Sequence, residues 1–204
     1  MRSLTFVFIL LAVAVHGATA VRPVVDLILT NAHVVTLNDQ REQFVPGCVV
    51  IRGSTLVAVG PAALADGYTA HRTIDVGGDL VMPGMVNTHT HAPMTVFRGL
   101  GDDVPDRLRR FIFPLEKALV NRDLVRWGGL HGMIEMIEGG VTTMANMYYF
   151  ENEVGRAARQ IGLRAIVGQT GVNFPAPDSP EPYGGIALAR QLVAEFKDDP
   201  LITA

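Results

Sequence analysis

The sequence predicts an α/β protein in which strand–helix units surround a parallel sheet. In residues 81–204, short apolar segments typical of strands alternate with longer segments that have helical spacing. Such repeats place successive strands in parallel orientation. In residues 21–80, turns alone separate the strand patterns, which predicts a small β domain before the α/β domain. With 49% hydrophobic and 18% charged residues among 204, the chain has enough apolar material for a core.

Residues 1–20 have the pattern of a secretory signal peptide. Arg2 carries a positive charge, residues 4–15 are almost wholly apolar, and small residues ending at Ala20 provide a cleavage site. The apolar run is too short for a comfortable membrane span. We therefore expect cleavage after Ala20, a mature chain without a stable membrane anchor, and a secreted or periplasmic location. An uncleaved anchor is the alternative.

Strand patterns with short turns fill residues 26–80. Residues 26–30 and 34–37 lie on either side of Asn31, and residues 52–55 have the composition of a hairpin turn. Cys48, the single cysteine of the chain, excludes an internal disulfide framework. Because it lies in an apolar run, we expect a buried, unreactive thiol.

Two histidines, His89 and His91, follow an apolar segment that is interrupted by Pro83-Gly84. If residues 85–91 form a strand, its period of two places both histidines on one face, where they can hold a divalent ion from one side. Two histidines at this spacing also arise by chance, as an exposed pair on a strand. The preceding apolar segments favour metal binding, because buried parallel strands enter the catalytic face of a barrel in this way.

A loop and a short helix are predicted after the histidines. The loop, residues 99–105, carries Asp102 and Asp103, which we assign to solvent rather than to a metal. Asp106 is a candidate cap for a helix that includes Phe111.

The clearest helix in the sequence is predicted over residues 121–139. Asn121 is its expected N-cap, and Gly139 is its stop signal. Apolar residues recur along it at helical spacing and predict its packing face, with His131 packed beside them. These residues are Leu124, Trp127, Leu130, Met133, Ile134 and Ile137.

Three further strands and two further helices complete the alternation. The strands are predicted at residues 141–145, 163–168 and 201–203, and the helices at residues 151–161 and 184–196.

The stretch Pro83-Gly-Met-Val-Asn-Thr-His-Thr-His-Ala-Pro-Met-Thr95 resembles the first barrel strand of the amidohydrolase superfamily. The branch that it resembles contains S-adenosylhomocysteine/methylthioadenosine deaminases and triazine hydrolases, and the resemblance extends from about Asp26 to the last residue. It implies a metal-dependent (β/α)8 TIM barrel flanked by a small β-sandwich. Because a complete barrel takes about 250 residues, residues 81–204 are expected to form an incomplete barrel, its first half, and residues 21–80 part of the sandwich.

The resemblance also implies a metal and a substrate-binding residue. His89 and His91 would hold one divalent ion, zinc or alternatively iron, together with ligands from later strands of the family barrel. Glu116 matches a position where adenosine-type deaminases use a glutamate to accept hydrogen bonds from ribose hydroxyls. Asn146 stands where many relatives carry an acid, and Gln169 stands where such deaminases carry an arginine, which argues against an arginine clamp for a substrate carboxylate. No catalytic acid or base can be assigned within the chain.

The implied function is hydrolytic deamination of an aminated heterocycle such as adenosine, methylthioadenosine or S-adenosylhomocysteine. With two histidines only, the 204-residue piece is expected to be inactive alone. One alternative is a triazine-type chlorohydrolase on the same scaffold, and another is a secreted, non-catalytic remnant. A net charge of −3 gives no electrostatic case for nucleic acid, so the expected partner is a small molecule. A homo-oligomer is compatible with the sequence.

Overall fold

A computed structural model describes residues 21–204. The signal peptide predicted for residues 1–20 lies outside this range. The chain divides into two units, one that ends at Pro83 and one that extends from Gly84 to Ala204. No helix in the described range is long and apolar enough to cross a membrane.

The first unit contains a five-stranded mixed β-sheet. Strand β1 lies at its centre, because it pairs antiparallel with β2 and parallel with both β4 and β5. β2 and β3 form the hairpin predicted at residues 52–55, and Gly53 takes the positive φ that this tight turn requires. The strands are β1 (Val24–Val35), β2 (Gln43–Arg52), β3 (Thr55–Pro61), β4 (Thr69–Asp75) and β5 (Leu80–Val81).

The predicted break at Asn31 is wrong, because β1 continues through it as one strand. Asn31 adopts φ 53° within an irregularity of the pairing with β2. Asparagine tolerates this left-handed conformation, and its side chain donates a hydrogen bond of 2.9 Å to Asp75. A residue that resembles a turn signal in the sequence is therefore a bulge that β4 stabilises.

Cys48 lies in the core of the first unit. Its side chain is fully buried in a cluster with Val25, Ile28 and Val50. Burial raises the pKa of the Cys48 thiol, as expected for a thiol kept in its neutral form. The prediction of a buried thiol is confirmed.

The second unit has a four-stranded parallel sheet in which the strands lie side by side in chain order. The alternation of strands and helices predicted from the sequence is confirmed. Because all four strands run in the same direction, their carboxyl ends lie at one edge of the sheet. The strands are β6 (Met85–Thr90), β7 (Val141–Tyr148), β8 (Arg164–Gln169) and β9 (Ile202–Thr203), and the helices are α1 (Phe113–Leu119), α2 (Arg122–Glu138), α3 (Glu151–Ile161) and α4 (Gly185–Glu195).

Helix α2 has the predicted caps. Asn121 Oδ1 accepts a hydrogen bond of 3.0 Å from the N–H of Leu124, and Gly139 follows the last helical residue. The predicted packing face is partly wrong. Met133 and Leu130 are buried, but Trp127, Ile134 and Ile137 are exposed.

Glycines explain the difference in the packing face of α2. Gly128, Gly129 and Gly132 are buried, and the 3-10 segment Ala92–Phe97 packs against α2. A pattern of apolar residues does not reveal a contact surface that is made of glycines. The prediction that His131 is packed is also wrong, because its side chain is 60% exposed and lies 3.8 Å from Glu135.

The chain between the histidines and α1 departs from a simple helix. Asp106 has φ 50°, and a π-helical turn, Leu108–Ile112, leads into α1 without a side-chain cap. The predicted capping role of Asp106 is therefore wrong: a residue in the left-handed region does not have the extended backbone of an N-cap.

Candidate metal and substrate site

The histidine pair lies at the carboxyl end of β6. The ring centroids of His89 and His91 are 4.9 Å apart, and the rings meet edge to face. Thr90 pairs with Asn146, whose side chain is buried. His91 is the first residue after β6, so the two rings meet where the strand ends. The structure thus brings the two predicted ligands together.

A contact to β7 determines which nitrogen of His91 is free. His91 Nδ1 forms a hydrogen bond with the backbone carbonyl of Met147. A carbonyl oxygen only accepts hydrogen bonds, so Nδ1 carries a proton, and in the neutral imidazole Nε2 then keeps its lone pair. Metal-binding histidines are commonly oriented by a second hydrogen bond of this kind.

The pair fits a divalent metal ion as part of a ligand set. Neutral imidazole nitrogens suit zinc and iron, and catalytic zinc usually has three protein ligands and an open position. Within residues 21–204, no group of three or more His, Cys, Asp or Glu side chains could hold a metal ion. Among the described residues, His89 and His91 are therefore a pair of candidate donors and not a complete ligand set.

The segment after the histidines is held closely against α2. A Cβ atom at Gly128 would lie 2.6 Å from the carbonyl oxygen of Pro93, and a Cβ atom at Gly132 would lie 2.8 Å from that of Ala92. Thr95 Oγ1 donates a hydrogen bond of 3.0 Å to the carbonyl of Gly128. Close backbone packing thus restrains the chain that leaves His91.

Glu116 is buried, with only 4% of its surface exposed. Tyr148 donates a hydrogen bond of 2.8 Å to Glu116 Oε1. Burial raises the pKa of Glu116, although the tyrosine bond and His91 act in the opposite direction. Burial also raises the pKa of Tyr148, so the phenol keeps its proton and continues to donate. Sequence patterns did not indicate Tyr148, because an aromatic residue in a strand is usually a packing residue.

Tyr148 connects Glu116 to the histidine pair. Its ring centroid lies 6.2 Å from that of His91 and 5.1 Å from that of Tyr149. The hydrogen bond from Tyr148 uses Glu116 Oε1. A ligand bound by Glu116 would therefore lie near His91.

A cavity of about 470 Å³ lies beside Glu116. Aromatic and proline side chains form most of its wall, and the rings of Phe113 and Phe174 are 5.6 Å apart. Arg109 and Lys117 add positive charge to the lining. A cavity of this size and mixed character suits a small organic ligand.

Gln169 lies at the end of β8 but does not point to a free ligand position. Its Nε2 donates hydrogen bonds to Asp178 Oδ2 at 2.8 Å and to the carbonyl of Thr170 at 3.2 Å. The side chain of Gln169 is therefore held by contacts within the chain.

Glu151 is a buried acid that sequence patterns did not single out. It is the first residue of α3 and is fully buried. Burial raises the pKa of Glu151 to about 8, and the nearby Asp178 adds to this effect. In the sequence, an acid at a helix start indicates only a favourable contact with the helix dipole.

The profile of the amidohydrolase family matches residues 80–204. The chain belongs to the amidohydrolase family. This confirms the resemblance drawn from the stretch that ends at Thr95. The structure adds the four parallel strands with intervening helices that the family fold requires in this region.

Individual amidohydrolases are similar over most of this chain. It is 46% identical over 180 residues to a 5-methylthioadenosine/S-adenosylhomocysteine deaminase of Syntrophobacter fumaroxidans. The matched region covers 87% of this chain and 41% of the relative. A zinc-bound adenosine deaminase from Xanthomonas campestris has a TM-score of 0.84 and 32% identity, covering 89% of this chain and 42% of that one. A zinc-bound atrazine chlorohydrolase from Arthrobacter aurescens has a TM-score of 0.68 and 20% identity over 87% of this chain and 45% of that one, a similarity of fold alone. The chain thus spans less than half the length of these proteins.

Proposed function

We propose that the whole protein is a metal-dependent hydrolase that removes the amino group from an aminated purine nucleoside. In this proposal His89 and His91 are two of the metal ligands, and Glu116 binds the substrate. Family membership and the similarity to a named deaminase over 87% of the chain support this proposal. The zinc bound in the Xanthomonas structure favours zinc over iron.

The observation that carries the proposal is the arrangement of His91, Tyr148 and Glu116. Tyr148 lies beside the ring of His91 and holds Glu116 through a hydrogen bond of 2.8 Å, at the wall of the cavity. A carboxylate that is held through one oxygen can accept further hydrogen bonds from a sugar. A substrate held at Glu116 would have its base within reach of the histidine pair.

The reaction replaces an amino group with oxygen. A divalent ion, when bound, supplies an activated water near neutral pH. A carbon–oxygen bond forms at the ring carbon that carries the amino group, the carbon–nitrogen bond breaks, and the amino group leaves as ammonia after taking one proton that originates from the water. The second proton of the water remains on the product. His91 donates through Nδ1 to Met147 and so keeps Nε2 in the metal-binding form, while Glu116 orients the substrate.

The cavity lining supports a nucleoside with a largely apolar substituent, such as methylthioadenosine. Phe113, Tyr149 and Phe174 provide aromatic surface, on which bases and apolar groups stack well. Arg109 and Lys117 offer positive charge to a substituent that carries a carboxylate, as in S-adenosylhomocysteine. A comparison of both substrates therefore reports which part of the lining is used.

Further proposals concern the whole protein. Residues 1–20 act as a signal peptide cleaved after Ala20, and they direct the protein to the periplasm or the exterior, where it has no stable membrane anchor. Residues 21–80 form part of a small β-sandwich, and residues 81–204 form the first half of an incomplete (β/α)8 barrel that requires later strands for activity. The protein does not act on nucleic acid, and it can assemble from identical subunits.

The test is a substrate panel with the protein expressed from its own gene. We expect zinc-dependent ammonia release from methylthioadenosine or adenosine, abolished by a chelator and restored by Zn²⁺. Glu116→Gln should raise KM for these nucleosides by about 10- to 100-fold, because a lost hydrogen bond to a charged group weakens binding by about that factor. The substitution should have little effect on analogues that lack the ribose hydroxyls.

Glu138→Gln, which changes an exposed acid at the end of α2, is the matched control. Chloride release from chlorinated triazines without ammonia release would support the chlorohydrolase instead. A protein that retains no metal after dialysis and releases neither product would support the non-catalytic alternative.

A further inference from the structure

A buried chain of hydrogen bonds connects α3 to the backbone next to the histidine pair. Glu151 Oε1 accepts a hydrogen bond of 2.5 Å from Asn146 Nδ2, and Asn146 Oδ1 accepts one of 2.7 Å from the N–H of Ala92. Glu151 is fully buried, and Asn146 is 3% exposed. Because Ala92 directly follows His91, this series of hydrogen bonds ends at the residue next to a proposed metal ligand.

The partners of Asn146 determine the orientation of its amide group. The N–H of Ala92 can only donate, so the amide oxygen of Asn146 faces Ala92 and the amide nitrogen faces Glu151. Asparagine suits this position because one neutral side chain supplies both an acceptor and a donor. An aspartate would place two carboxyl groups against each other.

Stabilisation of α3 alone does not account for Glu151. Acids that stabilise a helix start usually lie in solvent near the positive end of the helix dipole. Glu151 is buried instead, and its Oε2 has no hydrogen-bond partner among the described residues. Burying a carboxyl group costs free energy, so its retention at this position points to a further role.

The backbone around His91 is restrained on its other sides as well. The carbonyl of His91 accepts a hydrogen bond of 2.8 Å from the N–H of Met94, and the His91 ring is bonded to the carbonyl of Met147. On the far side of the segment, the carbonyl oxygen of Ala92 faces Gly132. At the Ala92 N–H, the side chain of Asn146 adds a second contact between this segment and β7.

We propose that Asn146 and Glu151 are positioning residues for the metal site. Glu151 orients Asn146, Asn146 holds the Ala92 amide, and this contact sets the angle at which His91 presents Nε2 to a divalent ion. The inference rests on the proposed function, because it requires His91 to be a metal ligand.

The test measures metal binding by the whole protein, stripped of metal and then titrated with Zn²⁺ or Co²⁺ alone. Asn146→Leu and Glu151→Leu interrupt the series of hydrogen bonds at different residues. Each should weaken Zn²⁺ affinity by about 10- to 100-fold, which is the usual effect of removing a residue that orients a metal ligand. Both should alter the absorption spectrum of bound Co²⁺, which reports coordination geometry. Glu151→Gln keeps an acceptor for Asn146 Nδ2 and should retain the affinity and spectrum of the natural protein.

Val154→Ala is the matched control, because it removes buried packing from α3 at a residue outside the hydrogen-bond chain. If Val154→Ala weakens Zn²⁺ binding as much as Asn146→Leu at an equal loss of stability, the positioning role is wrong. The same conclusion follows if the leucine variants bind Zn²⁺ and Co²⁺ as the natural protein does. If the natural protein binds neither metal tightly and His91→Ala changes nothing, the proposed function fails, and the positioning role fails with it.

Discussion

The first turn of α3 carries two acids, and they lie in different environments. Glu153 forms salt bridges with Arg122 at 2.8 Å and Arg156 at 3.2 Å, as is usual for an acid near a helix start. Glu151 is fully buried and bonded to Asn146. Both residues are glutamates, so the difference in burial and bonding comes from packing alone.

The raised pKa of Glu151 predicts a pH-dependent stability. The pKa of Glu151 in the folded protein is about 8, against 4.5 for an unperturbed glutamate. Between these values the folded protein keeps a proton that the unfolded chain releases. The free energy of unfolding should therefore fall as pH rises through this window, by up to about 1.4 kcal/mol per pH unit.

Glu151→Gln keeps a neutral side chain of similar shape and should lack this pH dependence. Urea unfolding at about pH 5 and about pH 8 should show a stability advantage of the variant that grows with pH. An equal pH dependence in both proteins would show that Glu151 ionises normally in the folded state.

At the scale of elements, α2 and the segment Ala92–Phe97 depend on glycine. Gly129 and Gly132 lie on the same helix and are both buried, but an added Cβ meets different surroundings. At Gly129 it would lie 3.7 Å from Met133 Cε, an ordinary contact, whereas at Gly132 it would lie 2.8 Å from the backbone oxygen of Ala92.

The two alanine substitutions should therefore have opposite effects on stability. Gly129→Ala should stabilise the protein by up to about 1 kcal/mol, because alanine favours a helix. Gly132→Ala should destabilise it by about 1–3 kcal/mol, because backbone must move. Denaturant midpoints of the two variants check this prediction, and a gain in stability for both would contradict the close contact at Gly132.

At the scale of the whole molecule, the four-stranded sheet has helices on one face only among the described residues. Met144 and Val167 point to the helices and are buried, whereas Val86, Met147 and Ile166 lie on the other face and are exposed. Apolar residues that are exposed together on one face commonly lead to association. In the proposed barrel, this face is the interior.

Residues 21–204 produced alone should therefore self-associate through the open face. Ile166→Glu should reduce this association, measured by sedimentation over a range of concentrations. Ile186→Glu is the matched control, because Ile186 lies on α4 and is 55% exposed, against 53% for Ile166. Equal effects of the two substitutions would argue against the open face as the contact surface.

Several features follow from local sequence patterns. The strand–helix alternation, the hairpin at residues 52–55 and the caps Asn121 and Gly139 depend on residues that are close along the chain. The same is true of His89 and His91, because residues two positions apart on a strand lie on one face. Glu116 came from a resemblance to a known motif, since its own neighbours indicate only a helix start.

The sequence by itself determined the α/β class, the order of the elements, the family and the proximity of His89 to His91. Only the tertiary structure decided that Glu151 and Asn146 are buried together and that glycines form the contact face of α2. It also decided that Tyr148 bonds to Glu116, 32 positions away, and that Asn146 bonds to Ala92, 54 positions away. The physical reason is that periodicity and capping act over a few residues, whereas burial and long-range hydrogen bonds exist only after packing brings distant segments together.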